Sequence, residues 1–346
     1  MRVSVNGSDR IFSTAPGRTV LDGALDAGMN LPHSCKGGSC GACRARLLAG
    51  VVTYPHGRPI GLSEAEAADG FILLCQACAD SDLAIDVAEV RTPEQARIKR
   101  LPSRIERLTS LSHDVLGLYL RLPAAEPLQF EAGQYLDIML PDGRRRSFSI
   151  ASPPHDSSLL ELHVRRVHGG EFTERLFTEE ARNRLLSIEA PLGHFVYRPT
   201  EGGRVLLVGG GTGLAPLKSI LRHVIETGLP RDVVLYWGVR DERDLYAHDE
   251  LRALMERAAN FRYYPVLSEP GAHWAGRRGW VHEAVLRDLP DLRGMDVYAS
   301  GPPAMIAAVR QDFVRHGADP ARLSFDSFDY APDSLERQRI TAATKS

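Results

Sequence analysis

Four cysteines limit what this chain of 346 residues can fold into more than any other feature of its sequence. Cys35, Cys40 and Cys43 lie in the stretch CKGGSCGAC with the spacing C-x4-C-x2-C, and Cys75 follows after 31 intervening residues. The chain has five cysteines, an odd number, and its first residues, MRVSVNGSDRIF, lack the apolar core of a signal peptide. We therefore predict a cytoplasmic location, where disulfides are disfavoured, and expect the cysteines to bind a metal.

The spacing of these cysteines is typical of the plant-type [2Fe–2S] ligand set. Each iron needs tetrahedral sulfur coordination, which thiolates and bridging sulfides provide together, so we predict Cys35, Cys40, Cys43 and Cys75 as the metal ligands. Glycines at positions 37, 38 and 41 would let the backbone pass close to the cluster and direct amide groups at its sulfurs. The cysteine loop is thus predicted to surround an anionic inorganic cofactor.

Two alternatives remain open. A structural zinc site usually pairs two short C-x2-C knuckles, and a four-residue gap with a single remote cysteine fits that pattern poorly. Cys78 follows Cys75 in the stretch LLCQAC and could compete with it as the fourth ligand, although a spare cysteine is more often a buried, inert thiol. We favour Cys75 as the fourth ligand.

Around the cysteines, the pattern predicts a small α+β domain of the β-grasp type over residues 1–92. RVSVNG alternates apolar and polar residues as a strand does, and TVLDGALDAG predicts a helix with Thr19 as N-cap and Gly28 at its C-terminal end. LAIDVAEV supplies a closing strand. The charged stretch that follows contains two prolines and predicts a linker over residues 93–102.

The remaining sequence divides into two segments. Residues 103–200 contain short aliphatic and β-branched runs between Gly, Pro and Asp turns, which predicts an all-β barrel or sandwich. One helix interrupts this pattern in GGEFTERLF, where we expect Thr173 to be the N-cap of an anion-receptive helix terminus. In residues 201–331 strands alternate with helices, which implies a parallel, doubly wound α/β sheet. Residues 332–346 are predicted to be a C-terminal tail.

Motifs in the second segment resemble those of the ferredoxin–NAD(P) reductase superfamily. RSFS at residues 146–149 is similar to its R-x-[YF]-[ST] flavin motif, and the glycines before Thr173 match its second flavin element. A guanidinium suits a phosphate, and an aromatic face suits a planar ring. The resemblance implies an antiparallel β-barrel that binds FAD, with Ser149 as the catalytic residue that positions flavin N5. The implied FAD-binding residues are Arg146, Ser147, Phe148, Ser149, His163, Val164, Gly169, Gly170, Thr173 and Phe328.

The third segment carries motifs similar to the pyridine-nucleotide elements of the same superfamily. In GGGTGLAP, residues 209–216, the glycines would let the backbone approach a pyrophosphate at the start of a helix. SGPPAM, residues 300–305, resembles the element beneath the nicotinamide, with serine in place of the usual cysteine. Asp241 favours NADH because a carboxylate repels a 2′-phosphate, while Arg240 keeps NADPH possible. The implied NADH-binding residues are Gly210, Gly211, Thr212, Gly213, Pro216, Arg240, Asp241, Gly301, Pro302 and Pro303.

The resemblance covers nearly the whole chain and is closest to the single-chain reductases of bacterial oxygenases and to related CDP-6-deoxyglucoseen reductases. It implies an oxidoreductase that passes electrons from NADH through FAD to a [2Fe–2S] cluster. The implied acceptor is a Rieske or di-iron oxygenase component, or its ferredoxin, in the catabolism of aromatic compounds. The alternative acceptor is a CDP-4-keto-6-deoxyglucose-3-dehydrase in deoxysugar biosynthesis.

Composition argues against two other kinds of partner. The formal net charge is −2, and no block of basic residues interleaved with aromatics is present, so nucleic acid is not an expected partner. Nowhere do about 18 apolar residues follow one another, so association with a membrane is not expected either. We expect a monomer.

Overall fold

The computed structural model describes residues 1–6, 10–87, 98–124, 127–178, 184–200, 202–228 and 231–328. They form an N-terminal domain (residues 1–87), a barrel domain (98–200) and a C-terminal domain (202–328). The three fold types and their order confirm the predicted fold class. The predicted tail, 332–346, and the first half of the predicted linker, 93–97, lie outside the described residues.

The N-terminal domain is a small mixed sheet with a helix packed on it. Alternation along the first strand buries Val3 and Val5, because successive side chains of a strand point to opposite faces. The five-stranded sheet has the order β2-β1-β7-β3-β5, in which β1 and β7 are parallel. The elements of the N-terminal domain are β1 (Arg2–Val5), β2 (Ile11–Ser13), α1 (Val20–Asp26), β3 (Arg44–Ala49), β4 (Val52–Thr53), α2 (Glu64–Ala68), β5 (Phe71–Leu73), β6 (Cys78–Ala79) and β7 (Leu83–Asp86). Strands β4 and β6 pair with each other in a separate two-stranded sheet.

The two ends of α1 follow the predicted chemistry. Thr19 is the N-cap, and its Oγ1 accepts a hydrogen bond of 3.1 Å from the backbone N–H of Asp22. Gly28 follows the last turn at φ 75°, in the left-handed region that glycine adopts without strain. The helix therefore occupies the segment between the first hairpin and the cysteine loop.

Six antiparallel strands form the barrel domain, in the order β11-β10-β13-β8-β9-β12. A bridge between Ile150 and Leu162 joins the two edges of the sheet and closes the barrel. The first strand begins at Lys99, within the segment predicted as linker. The elements are β8 (Lys99–Ser110), β9 (Val115–Arg121), β10 (Tyr135–Met139), β11 (Arg145–Ser149), β12 (Leu159–Arg165), α3 (Glu171–Leu176) and β13 (Leu185–Leu192).

The predicted role of Thr173 as N-cap of α3 is wrong. Gly170 is the N-cap, with extended backbone (φ −79°, ψ 100°), and Thr173 is the third residue of the helix. From there its hydroxyl reaches backwards, accepting from the N–H of Val167 at 3.1 Å and donating to the carbonyl of Gly170 at 3.2 Å. The side chain thus fastens the loop before the helix, while the helix itself begins on a glycine.

The C-terminal domain is a six-stranded parallel sheet, β17-β16-β15-β14-β18-β19, with helices on both faces. Along its central strand Val205 and Leu207 enter one apolar core while Leu206 and Val208 enter the other, as expected of a doubly wound sheet. The elements are β14 (Arg204–Gly210), α4 (Leu214–Glu226), β15 (Val233–Val239), α5 (His248–Arg257), β16 (Phe261–Leu267), β17 (Arg277–Arg278), α6 (Val281–Asp288), β18 (Met295–Gly301), α7 (Pro303–Arg315) and β19 (Leu323–Ser327).

The three domains are joined in two different ways. Ala132 and Phe195 of the barrel domain pack into the apolar core of the C-terminal domain, where Phe195 meets the ring of Tyr298 edge to face. The core cluster of the N-terminal domain, by contrast, consists of residues from its own range. None of the helices in the described ranges combines the length and the apolar character needed to cross a bilayer.

Candidate functional site

The four predicted ligand cysteines converge at one end of the N-terminal domain. Cys43 Sγ lies 3.2 Å from Cys75 Sγ, and the backbone N–H of Cys40 donates to Cys35 Sγ at 3.5 Å. Cys78 stands apart, paired with Thr53 between β6 and β4. The cysteines therefore form two neighbouring sulfur pairs, the arrangement that a two-iron cluster with two thiolates on each iron requires.

The cysteine sulfurs lie close enough to alter one another's pKa. Hydrogen bonding from Cys40 outweighs burial and lowers the pKa of the Cys35 thiol to about 6. Hydrogen bonding to neighbouring cysteines, together with burial, raises the pKa of Cys40 and of Cys75. A cationic metal centre would relieve this crowding of thiolates, since a coordinated thiol is deprotonated. The residues present thus fit a [2Fe–2S] cluster.

The cysteine loop has a tightly packed backbone. Gly38 has φ 79°, and a Cβ placed on it would lie 2.7 Å from Pro59 and 2.7 Å from Gln76, so no larger residue fits there without movement. Lys36 is the one described residue of the loop other than glycine with a positive φ (54°), and its side chain reaches Asp137 of the barrel domain. The loop is therefore shaped both to enclose the cluster and to meet a second domain.

A cavity of about 1140 Å³ lies where the three domains meet. Its wall includes Cys35 of the cysteine loop. From the predicted FAD set it includes Arg146, Ser147, Phe148, Ser149, His163, Gly170, Thr173 and Phe328. From the predicted NADH set it includes Gly210, Gly211, Thr212, Arg240, Pro302 and Pro303. Residues from all three motifs thus line one continuous space of a size suited to cofactors.

Some predicted residues lie outside this wall. Val164 enters the barrel core, because it alternates with cavity-lining His163 along β12. Gly169 donates its N–H to the carboxylate of Glu174 at 3.0 Å. Pro216 is buried within α4.

The other residues of the predicted NADH set that do not line the cavity have structural contacts. Gly213 and Gly301 sit where strands and helices approach closely, and a Cβ on Gly213 would lie 2.1 Å from a backbone oxygen. Asp241 caps a short 3-10 turn, accepting from the N–H of Arg243 at 3.0 Å and pairing with its guanidinium. Arg240 rather than Asp241 therefore faces the cavity.

The flavin-type motif lies on β11 at the cavity wall. Ser147 Oγ donates to Asp137 Oδ1 at 2.5 Å, and Lys36 Nζ donates to Asp137 Oδ2 at 2.9 Å. Phe148 lies 5.9 Å from Phe172, measured between ring centroids, so α3 fixes the aromatic side chain of the motif. Asp137 is fully buried and ties the cysteine loop to the strand that carries the motif.

Asp326, which the sequence reasoning passed over, links all three domains. Its carboxylate accepts hydrogen bonds from Ser34 of the N-terminal domain, from Ser149 of the barrel domain at 3.4 Å and from Ser300 of the C-terminal domain at 3.3 Å. Burial raises the pKa of Asp326, and the three hydroxyl donors only partly offset this. Of the two phenylalanines near Asp326, Phe328, predicted to bind FAD, lines the cavity, whereas Phe325 packs against the C-terminal core.

Two further cavity residues were missed. Arg165, at the end of β12, lies 3.5 Å from the position a Cβ on Gly211 would take, so its guanidinium faces the glycine turn. Trp280 precedes α6 and is 63% exposed, an unusual state for so large an apolar side chain. The double arginine after LLELHV and the tryptophan after GRRG were the available signals, but each is common on an ordinary surface.

A buried polar network joins the barrel domain to the C-terminal domain behind the cavity. Lys218 Nζ, on α4, donates to Glu161 Oε1 at 3.0 Å and to Glu250 Oε2 at 2.9 Å. His163 Nε2 lies 3.1 Å from Glu161 Oε1, and His163 Nδ1 lies 3.0 Å from the hydroxyl of Tyr246. The network holds the cavity-lining face of β12 against the C-terminal domain.

Three family models match successive parts of the chain. A 2Fe-2S iron-sulfur cluster binding domain matches residues 3–80, an oxidoreductase FAD-binding domain matches residues 102–197, and an oxidoreductase NAD-binding domain matches residues 207–311. These matches confirm the predicted cofactors: a [2Fe–2S] cluster, FAD and a nicotinamide nucleotide. The positions of the individual binding residues stay predictions.

Proteins of known role resemble the chain over almost their whole length. The CDP-6-deoxy-L-threo-D-glycero-4-hexulose-3-dehydrase reductase of Yersinia pestis is 37% identical over 328 residues, covering 95% of this chain and 98% of its own. Reductase component 2 of the terephthalate 1,2-dioxygenase of a Comamonas species is 36% identical over 310 residues, covering 89% and 91%. The crystal structure of the reductase GcoB of Amycolatopsis superposes with a TM-score of 0.78 at 36% identity, covering 95% and 99%. The chain therefore belongs to the single-chain [2Fe–2S], FAD and NAD(P)H reductases of the ferredoxin–NAD(P) reductase superfamily.

Proposed function

We propose that this protein takes electrons from NADH and delivers them, through FAD and its [2Fe–2S] cluster, to a terminal oxygenase component or that component's ferredoxin. One observation carries the proposal: the cysteine loop, the flavin-type motif and the nucleotide motif line a single cavity. When bound, a flavin accepts two electrons from a nicotinamide and releases them one at a time, as an iron–sulfur cluster requires. A shared cavity supports direct electron transfer from the nicotinamide to the flavin and from the flavin to the cluster.

The residues of this chain would bind and orient the cofactors. Arg146, at the cavity wall, offers a guanidinium suited to a pyrophosphate, and Phe148 offers an aromatic face to a planar ring. The turn after β14 supplies Gly211 at φ 55°, and Trp237 Nε1 holds this turn by donating to the Gly211 carbonyl at 2.9 Å. Ser149 is held by Asp326, which fixes the direction of its hydroxyl at the cavity wall.

The cavity walls also exclude water and fix the approach of the cluster. Phe328 and Phe148 contribute to the apolar part of the wall, while Cys35 of the N-terminal domain faces the same space. Cys40, Cys43 and Cys75 are buried behind it. Electrons leaving the cavity would thus enter the cluster at its Cys35 side.

NADH is the nucleotide we favour. Arg240 faces the cavity, but its Nε lies 3.6 Å from Oδ2 of the buried Asp244. This carboxylate partly neutralises the charge of the guanidinium. An arginine held in this way is less available to a 2′-phosphate than a free one. Comparing kcat/KM for NADH and NADPH tests this preference, and equal values would contradict it.

An oxygenase system is the acceptor we favour, and a dehydrase is the alternative. The Comamonas relative is a dioxygenase reductase component, and the Yersinia relative is a hexulose-dehydrase reductase of nearly the same identity. Turnover of purified oxygenase and dehydrase partners with the same reductase preparation would discriminate between them.

An anaerobic titration of the purified protein with NADH tests the electron path. The expected preparation contains about two irons and one flavin per chain, and NADH bleaches the flavin absorbance and then the cluster absorbance. Zinc in place of iron, or a cluster that stays oxidised beside a reduced flavin, would overturn the proposal.

A further inference from the structure

The N-terminal domain meets the rest of the protein mainly through polar contacts. Lys36 pairs with Asp137, and Ser39 Oγ donates to Ser327 Oγ at 2.9 Å. The core of this domain is its own, whereas the barrel and C-terminal domains share apolar packing. His33 adds a contact of 3.0 Å from its Nε2 to the hydroxyl of Tyr135. Because the net contribution of a single hydrogen bond to stability is small, the position of this domain depends on the sum of these contacts.

Among the contacts outside the cavity, that of Arg310 spans two points. Arg310, on α7, donates from Nη1 to the carbonyl of Gly61 at 2.9 Å and from Nη2 to Glu66 Oε1 at 3.0 Å. Glu66 is held in place by a capping box with Ser63 and by Arg44. The guanidinium therefore binds a rigid part of the N-terminal domain at two points, which restricts the orientation of the domain more than a single contact would.

Arg310 also lies beside the cysteine loop. Gly61, which accepts from Arg310, donates its own N–H to the carbonyl of Gly38 at 2.8 Å. Nη1 of Arg310 is 3.0 Å from the position that a Cβ on Gly41 would occupy, between ligands Cys40 and Cys43. A fixed positive charge here stabilises the more negative, reduced form of a cluster, because net charge near the sulfurs sets its potential.

We propose that Arg310 is a positioning residue that holds the N-terminal domain in the orientation where Cys35 faces the cavity, and that its charge favours reduction of the cluster. The step it serves transfers one electron from the NADH-reduced flavin to one Fe(III), which becomes Fe(II). The inference rests on the proposed function, since that function supplies the electron. Arg310 does not line the cavity, so nucleotide and flavin binding do not depend on it.

The test compares Arg310→Gln with Arg310→Lys in the holoprotein, and uses Arg315→Gln as the matched control. Arg315 lies on the same helix, is exposed, and pairs within that helix with Asp312. We expect Arg310→Gln to slow cluster reduction about tenfold in stopped-flow traces, since losing a charge-assisted hydrogen bond shifts a docking equilibrium by that order. The rate of flavin reduction by NADH should be unchanged.

Two readouts separate positioning from a general structural role. In a redox titration followed by electron paramagnetic resonance, the cluster midpoint of Arg310→Gln should shift to a more negative value, and Arg310→Lys should recover most of the shift. Small-angle scattering should give a larger radius of gyration for Arg310→Gln than for wild type or Arg315→Gln.

An Arg310→Gln protein with wild-type potential, radius and cluster-reduction rate would overturn the inference. If that variant fails to fold, Glu66→Gln removes the charge partner of Arg310, and its wild-type behaviour in the same assays would count equally against the inference. A wild-type cluster that NADH cannot reduce would instead refute the proposed function.

Discussion

Lys218 is a site where a single substitution should reveal the cost of an isolated buried charge. Its side chain is 7% exposed and that of Glu161 is 8% exposed, whereas Glu250 is 51% exposed and can return to water. In Lys218→Met, Glu161 loses its cation while it remains buried. Removing one partner of a buried pair costs about 3–5 kcal/mol of the free energy of unfolding. The barrel and C-terminal domains together form a unit in the range of about 150–250 residues, for which we expect the thermal midpoint to fall by roughly 6–20 °C.

The pH dependence of the effect has a definite sign. Burial opposes ionisation of Glu161, but the neighbouring His163 and Lys218 outweigh it and hold the pKa of this carboxyl well below its usual range. A depressed pKa contributes stability that is present above the unfolded pKa of about 4.3 and is lost as pH falls through the folded value. In Lys218→Met, burial raises the pKa of Glu161 relative to wild type, and protonation of this carboxyl at lower pH removes the cost of its buried charge. The penalty of Lys218→Met should therefore be largest near pH 8 and shrink as pH falls towards 5.

Circular dichroism melts of four proteins measure these quantities: wild type, Lys218→Met, Glu161→Gln and the double variant. The double variant should be more stable than the sum of the two single penalties predicts, because the uncompensated charge is absent from it. Lys218→Arg, which keeps the charge, is the control and should lose much less. Additive penalties, or a cost for Lys218→Met under about 1 kcal/mol at pH 8, would refute the argument that Glu161 is isolated by burial.

Three further experiments test other parts of the structure. Gly213→Ala should destabilise the C-terminal domain by about 1–3 kcal/mol in thermal melts, since the new methyl would lie 2.1 Å from a carbonyl oxygen of β18, while Gly271→Ala, with ordinary space around it, should change little. Cys75→Ala should lose the cluster, whereas Cys78→Ala should keep about two irons per chain by metal analysis, and the opposite pattern would reverse the ligand assignment. Trp280→Ala should raise the Kd for NADH about two- to tenfold in fluorescence titrations if the adenine stacks on the indole, and an unchanged Kd would exclude such stacking.

Local patterns were sufficient for much of the fold. The βαβ alternation of the last segment predicted the parallel sheet, and Thr19 caps α1 as its position before an apolar run indicated. Thr173 shows where such reasoning fails. A capping residue is predicted from its type, and threonine is a common N-cap, but in the structure Gly170 has the extended cap conformation. The hydroxyl of Thr173 bonds instead to the loop before the helix.

The site was predictable where a motif is continuous in sequence and unpredictable where distant segments meet. The cysteine loop and the glycine turn after β14 could be recognised as candidate sites because each is a continuous segment with a characteristic spacing. Both segments contribute residues to the cavity wall. Asp326 was not, since its importance comes from serines that lie 292 and 177 positions away. Asp241 shows the reverse case: its type suggested a ribose contact, but the local turn engages its carboxylate.

The apolar packing shared by the barrel and C-terminal domains has a consequence for modularity. A cut near residue 200 would strip Phe195 and Ala132 from the core they help to fill, leaving apolar surface on both halves. Detaching residues 1–87 would expose mainly hydrogen-bonding groups that water can satisfy, together with the ring of Tyr135 that packs against His33. Grafting the N-terminal domain of another reductase onto this chain is therefore a polar matching problem at a handful of positions, whereas exchanging either of the other two domains alone would require a redesigned core.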